Sequence, residues 1–151
     1  MKNISILLFC ICIYNSNFAQ TNHDSETQLY GTWIGEIENR PIKFEILKNT
    51  SNTSTFSFTN FQNEKFTVLK SDVTTNEKNE FIIHIKEAKF SSKRYAKCLF
   101  STGVITLSDV SINKMSLNLA SVGPTCSINY DTSMKMDDMK DVILTKEKSN
   151  K

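Results

Sequence analysis

From Leu29 onward the chain alternates apolar and polar residues, and short polar stretches separate the alternating segments. In residues 40–48, for example, Lys43 and Glu45 separate three large apolar side chains. Successive side chains of a strand point to opposite faces, so a period of two predicts strands with one buried face. After a first strand that begins near Gly31, the predicted strands cover residues 42–46, 56–58, 66–70, 81–85, 95–100, 104–107, 115–119, 125–130 and 142–145.

The links between these segments are short and rich in asparagine, threonine and serine. Short links favour antiparallel neighbours, because a parallel crossover needs a dozen or more residues. Alanine is scarce and Ile, Val, Phe and Thr fill the segments, which also favours strands. Only residues 131–140 offer a turn or two of helix. We therefore predict a single all-β domain of eight to ten antiparallel strands, closed as an up-and-down barrel or packed as a β-sandwich.

The N-terminus has the pattern of a secretory signal peptide. Lys2 precedes an apolar run at residues 4–14, and the chain then turns polar before Phe18-Ala19. The apolar run is shorter than the roughly 18 residues that a spanning helix needs. The alternatives are a buried N-terminal strand and a membrane anchor; a lipid anchor is disfavoured because Phe9 and Ile11 precede the cysteines. We predict cleavage after Ala19 and no stable insertion in a membrane.

These observations divide the chain into four parts. The signal peptide covers residues 1–19, a polar flexible leader covers 20–28, the barrel domain covers 29–146, and a disordered charged tail covers 147–151. About 130 residues remain after cleavage, which is the size of one domain.

Export leaves two of the four cysteines, Cys98 and Cys126. In an oxidising compartment we expect these two to form a disulfide, and the alternative is two buried free thiols. The closed loop would stabilise the fold by about 3.5 kcal/mol on the chain-entropy model.

Charge and chemistry exclude several classes of protein. The formal net charge is +2, and loss of Lys2 lowers it to +1, so no net field attracts nucleic acid. His84 lies on the polar phase of its segment with no partner positioned in sequence, and the acidic residues 137–141 lack the glycine and glutamate of a calcium loop. We expect no catalytic residues, no metal, no cofactor and no enzymatic activity.

The stretch LYGTWIGEI (29–37) contains the only tryptophan and two of the four glycines. Its Gly31-Thr32-Trp33, at the head of the first strand of an exported antiparallel domain, resembles the G-x-W signature of the calycin superfamily, which includes the lipocalins and avidins. That resemblance implies a barrel around a ligand cavity, with Trp33 closing its bottom. Lipocalins also place a basic residue of the last strand over the tryptophan, and Lys146 is the position that matches it.

Aromatic residues point towards a binding function. Ten phenylalanines are present, and several share the inward phase with the tryptophan. Such side chains line an apolar cavity in a wide barrel and simply fill a narrow one. The candidate ligand-binding residues are Trp33, Phe44, Phe56, Phe58, Phe66 and Phe81.

The sequence thus predicts a secreted or periplasmic lipocalin-like protein that carries or sequesters a small apolar ligand. The alternative is a secreted module that binds another protein, such as an inhibitor of a protease or lysozyme. The oligomeric state is left open by the sequence.

Overall fold

The computed structural model describes residues 27–49, 53–60, 62–95, 98–120 and 138–148. Eight strands lie in these residues and follow one another around a closed antiparallel barrel in chain order. They are β1 Gly31–Ile37, β2 Arg40–Lys48, β3 Ser54–Thr59, β4 Lys65–Thr75, β5 Phe81–Phe90, β6 Val104–Ser108, β7 Lys114–Ala120 and β8 Met139–Lys146. The predicted up-and-down barrel is confirmed, and the sandwich is excluded.

Tight turns join the strands where asparagine supplies the left-handed conformation. Glu38 and Asn39 both have positive φ, 51° and 61°, and link β1 to β2 in a two-residue hairpin turn whose twist matches the strands. Asn63 in the β3–β4 connection and Asn79 in the β4–β5 connection have the same left-handed φ. The short polar links of the sequence therefore act as the predicted turns.

The predicted strand over residues 95–100 is wrong at its start. Lys93–Tyr95 form a 3₁₀ turn instead, because the Tyr95 amide donates to the Ser92 carbonyl (3.1 Å) and the Cys98 amide to the Tyr95 carbonyl (2.9 Å). Of the residues described in this segment, Phe100 alone joins the sheet, through an isolated bridge to Ala88. Local turn bonds here replace a sheet ladder.

The predictions near the C-terminus are partly described. The last strand begins at Met139, three residues earlier than predicted, so the final residues of the candidate helix 131–140 belong to β8. The predicted strand 125–130 and residues 131–137 lie outside the described residues. So do residues 1–26, which contain the predicted signal peptide, and residues 149–151 of the predicted tail.

The barrel closes between β1 and β8 over three residue pairs only. Trp33 pairs with Lys146, Ile34 with Thr145 and Gly35 with Leu144. A Cβ atom at Gly35 would lie 2.6 Å from the Ile143 carbonyl oxygen, so glycine permits this close approach.

Candidate functional site

One end of the barrel contains a recess of about 1120 Å³. It lies at the end where β1 begins, where the β2–β3, β4–β5 and β6–β7 connections also lie. Its lining residues are Leu29, Tyr30, Ile46, Thr53, Ser54, Phe56, Leu69, Lys70, Ser71, Val73, Thr75, Asn76, Lys78, Asn79, Phe81, Ile83, Leu107, Asp109 and Val110.

The recess exists because β4 is longer than its neighbour β3. The two strands pair only from Phe56↔Val68 to Thr59↔Lys65, whereas β4 pairs with β5 as far as Thr75↔Phe81. The β4–β5 hairpin therefore projects beyond β3 as an arm. Among the described residues, no strand pairs with the β3 side of β4 over residues 69–75, and we call this stretch the free β4 edge.

The inner face of this arm is only partly covered. Val73 lies opposite Ile83, and Thr75 lies opposite Phe81. Ile83 is fully buried, but Val73 is 48% exposed, as is Leu69 at the base of the arm. Inner-facing apolar residues elsewhere in the barrel are buried or partly buried, so this exposed apolar surface marks a space that the described residues do not fill.

The floor of the recess rests on a continuous row of aromatic rings. Sheet pairing joins these residues from strand to strand: Trp33↔Phe44, Phe44↔Phe58, Phe58↔Phe66 and Phe66↔Phe90. The row above it, nearer the recess, contains Ile46 and Phe56, which are paired with each other. Buried side chains thus occupy the barrel interior at the level of this row.

Towards the opposite end of the barrel, Phe66 and Phe90 of this row pack against further aromatic rings. Phe66 lies 5.0 Å from Phe90 and 5.7 Å from Phe100, measured between ring centroids, and Phe90 lies 5.6 Å from Tyr95. These tilted and edge-on contacts are the favourable geometries for aromatic pairs. Because this end is packed, the recess is a blind cavity and not a channel.

Uncharged polar groups form part of the wall above the apolar floor. The Tyr30 hydroxyl lies 3.2 Å from Ser54 Oγ, and Ser71 and Thr75 line the arm. Asn76 is occupied within its own hairpin, since its Oδ1 accepts from the Lys78 and Glu80 amides, both at 3.0 Å. The wall therefore offers hydroxyl groups above an apolar base.

The G-x-W residues and Lys146 come together beside the floor. Lys146 Nζ lies 5.0 Å from the centroid of the Trp33 ring and donates to the Gln28 carbonyl at 2.7 Å. The Trp33 indole donates to the Leu29 carbonyl at 2.8 Å. Gly31 has φ of 130°, and a Cβ there would lie 3.1 Å from Lys146 Cε. This group fixes the helical turn at residues 27–29 under the recess.

The structure divides the six candidate ligand-binding residues into two sets. Phe56 and Phe81 line the recess. The other four belong to the aromatic row and are 0–7% exposed: Trp33, Phe44, Phe58 and Phe66. Their rings fill the barrel, as the alternative of a narrow barrel required.

Sequence reasoning missed most of the recess wall. Tyr30, Ser54, Leu69, Ser71 and Val73 line it but were not candidates. One signal was present: the inward positions of the segment SDVTT (71–75) are Ser71, Val73 and Thr75, which are smaller and more polar than the core residues of other strands. A polar inward row is typical of a wall that faces solvent or ligand.

A separate ionic cluster lies on the outer face of the barrel. Glu45 contacts Lys65 at 2.7 Å and Lys43 at 3.0 Å, and Ser57 Oγ donates to it at 3.2 Å. The hydrogen bond from Lys65 is the main cause that lowers the Glu45 pKa to about 2; partial burial opposes this, and Lys43 adds to it. The cluster ties β2, β3 and β4 together and is remote from the recess.

Two further observations concern chemistry. In the described part of the chain, no group of three or more His, Cys, Asp or Glu residues is arranged to hold a metal ion. Over the same residues, no helix is long and apolar enough to cross a membrane.

Cys98 is buried, but Cys126 lies outside the described residues, so the predicted disulfide between them stays a prediction.

Comparison with known proteins gives no relative for this chain: no family model, no curated protein and no solved structure matches it.

Proposed function

We propose that this protein is a non-enzymatic, exported binding protein of lipocalin-like type that takes up a small apolar ligand in the recess. The observation that supports it best is the exposed apolar surface of the recess, at Val73 on the inner face of the β4–β5 arm and at Leu69 at the register shift below it. Burial of such side chains by a ligand contributes about 25 cal/mol per Å² of apolar surface. A recess of about 1120 Å³ is slightly larger than the range of about 300–1,000 Å³ for small-molecule sites.

Two further features support the lipocalin-like character. The eight-stranded up-and-down order and the stacking of Lys146 on Trp33 agree with what the G-x-W resemblance implies. The proposed export follows from the signal-peptide pattern of residues 1–19.

The test combines ligand detection with a blocked recess. Native mass spectrometry after mild extraction from the producing cell should reveal a bound small molecule, and the purified protein should bind Nile red, an uncharged apolar dye. Val73→Trp should project a large ring into the recess and weaken dye binding. Leu47→Trp is the matched control, because Leu47 is also exposed (51%) but points outward from β2. Equal dye binding by both variants, or none by the unmodified protein, would refute the proposal.

A second candidate function, binding of another protein, is favoured by the free β4 edge. Unpaired strand edges accept an added strand through backbone hydrogen bonds. A protein partner in the native mass spectrum, together with slowed hydrogen exchange at the amides of residues 69–75, would support this function. A bound small molecule with unchanged exchange at those amides would refute it.

A further inference from the structure

We infer that the ligand of the recess is an amphiphile whose polar end is uncharged, an alcohol or an amide and not a carboxylate. This inference rests on the proposed function and names the chemical class of the ligand. It follows from where the apolar, hydroxyl and charged groups of the recess lie.

The base of the recess is suited to an apolar body. Five of its lining residues are at most 5% exposed and apolar: Leu29, Ile46, Phe56, Ile83 and Leu107. None of the lining residues in this buried base carries a charge or a hydrogen-bonding side chain. A polar group of the ligand placed there would lose its hydrogen bonds to water without replacement. The polar end of the ligand must therefore lie higher, against the wall.

The wall at that level presents hydroxyl groups. Tyr30 and Ser54 bring two hydroxyls within 3.2 Å of each other, and Ser71 lines the facing arm. A hydroxyl both donates and accepts hydrogen bonds, so these groups suit an alcohol or amide, which also does both. The free β4 edge adds backbone N–H and C=O groups, which are likewise uncharged.

The charged lining residues do not form a buried site for one sign of charge. Lys70 Nζ pairs with Glu87 at 2.7 Å, so a neighbouring carboxylate already matches its charge. Lys78 and Asp109 are exposed and lie on two different hairpin connections. They have opposite signs, so together they attract neither an anion nor a cation. A carboxylate against the hydroxyl wall would thus lack a buried counter-ion, which makes its desolvation unfavourable.

The experiment compares ligands that differ only in the polar end. Dodecanol, dodecanamide and dodecanoate compete with Nile red, the first two below their solubility limits and dodecanoate below its critical micelle concentration. At neutral pH we expect the alcohol and the amide to bind at least about tenfold more tightly than the carboxylate, a factor that corresponds to about 1.4 kcal/mol. Lowering the pH towards the pKa of the fatty acid should raise the affinity for dodecanoate and leave that for dodecanol unchanged.

Variants locate the polar end. Tyr30→Phe and Ser54→Ala should each weaken dodecanol severalfold and leave Nile red binding unchanged. Ser101→Ala, which changes a serine at the other end of the barrel, should alter neither. Lys78→Gln should not change dodecanoate binding.

The outcomes separate the two proposals. Dodecanoate binding as tightly as dodecanol, or weakened dodecanoate binding in Lys78→Gln, would overturn the inference while the binding function stands. Absence of saturable binding by Nile red and by all three amphiphiles would overturn the proposed function and the inference with it.

Discussion

At the residue scale, Gly31, Gly35 and the single tryptophan allow close packing where β1 and β8 close the barrel. Gly35 lets β1 approach β8, and Gly31 leaves room for the Lys146 side chain to reach over Trp33. These positions were visible in the sequence as a motif. The reason for the second glycine, its contact with the Ile143 backbone, was not, because it depends on which strand lies beside β1.

Gly35→Ala should destabilise the protein by about 1–3 kcal/mol, because its Cβ would clash with backbone that has little freedom to move. Urea unfolding followed by circular dichroism measures the change. Glu36→Ala, at an exposed neighbouring position, is the control and should change stability by less than about 0.5 kcal/mol. A Gly35→Ala protein as stable as the control would contradict the reported close approach.

Lys146→Met should lower stability by about 1 kcal/mol, because it removes the ammonium from the indole face and from the Gln28 carbonyl. Trp33 is the only tryptophan, so its fluorescence spectrum reports directly on this contact and should change. Lys148→Met, a substitution in the exposed end of the described chain, should leave the spectrum as it is. An unchanged spectrum in Lys146→Met would show that the contact does not persist in solution.

At the element scale, the unequal lengths of β3 and β4 create the candidate site. Alternation predicted β4 only as far as residue 70, because the polar segment SDVTT (71–75) does not look like a core strand. Its continuation is stabilised by pairing with β5, which no local pattern reveals. The sequence therefore predicted the strands that fill the core better than the strand segment that forms the recess.

The ionic cluster that joins β2, β3 and β4 predicts a pH dependence. The folded-state pKa of Glu45 is about 2, below its ordinary value of 4.5, so the unfolded chain binds this proton more readily. Stability from Glu45 is complete above about pH 5 and is lost as the pH falls towards 2. Glu87, whose pKa is lowered mainly by the hydrogen bond from Lys70, acts in the same direction.

Unfolding free energies measured between pH 6 and about 2 should therefore fall less steeply for Glu45→Gln than for the unmodified protein. Lys65→Gln should also flatten the profile, since it removes the main cause of the lowered pKa. Identical slopes for all three proteins would contradict the assigned role of the cluster.

At the scale of the whole molecule, the class of fold could be predicted because period-two alternation and short turns leave few architectures. Closure of the barrel and exclusion of the sandwich required the pairing of β1 with β8, which joins residues more than a hundred positions apart. The aromatic candidates were correctly placed on the inner face. Four of these aromatic side chains fill the barrel and two line the recess. This division follows from the register of five strands, which cannot be predicted from composition.

The predicted disulfide between Cys98 and Cys126 belongs to this scale. A thiol count on denatured, non-reduced mature protein should find no free thiol, and reduction should lower stability by about 3.5 kcal/mol. Two free thiols per chain would refute the pairing. If the disulfide exists, Cys98→Ser and Cys126→Ser should lower the free energy of unfolding equally, because either substitution breaks it.

The hydrogen bond from Lys146 to Gln28 has one more consequence. It brings the first described turn and the last described strand into direct contact, so a short peptide linker can join them without crossing the barrel. A circularly permuted chain with new ends in the β4–β5 turn would keep every pairing of the barrel and release the tip of the arm. Such a chain separates what the arm contributes to ligand uptake from what it contributes to folding.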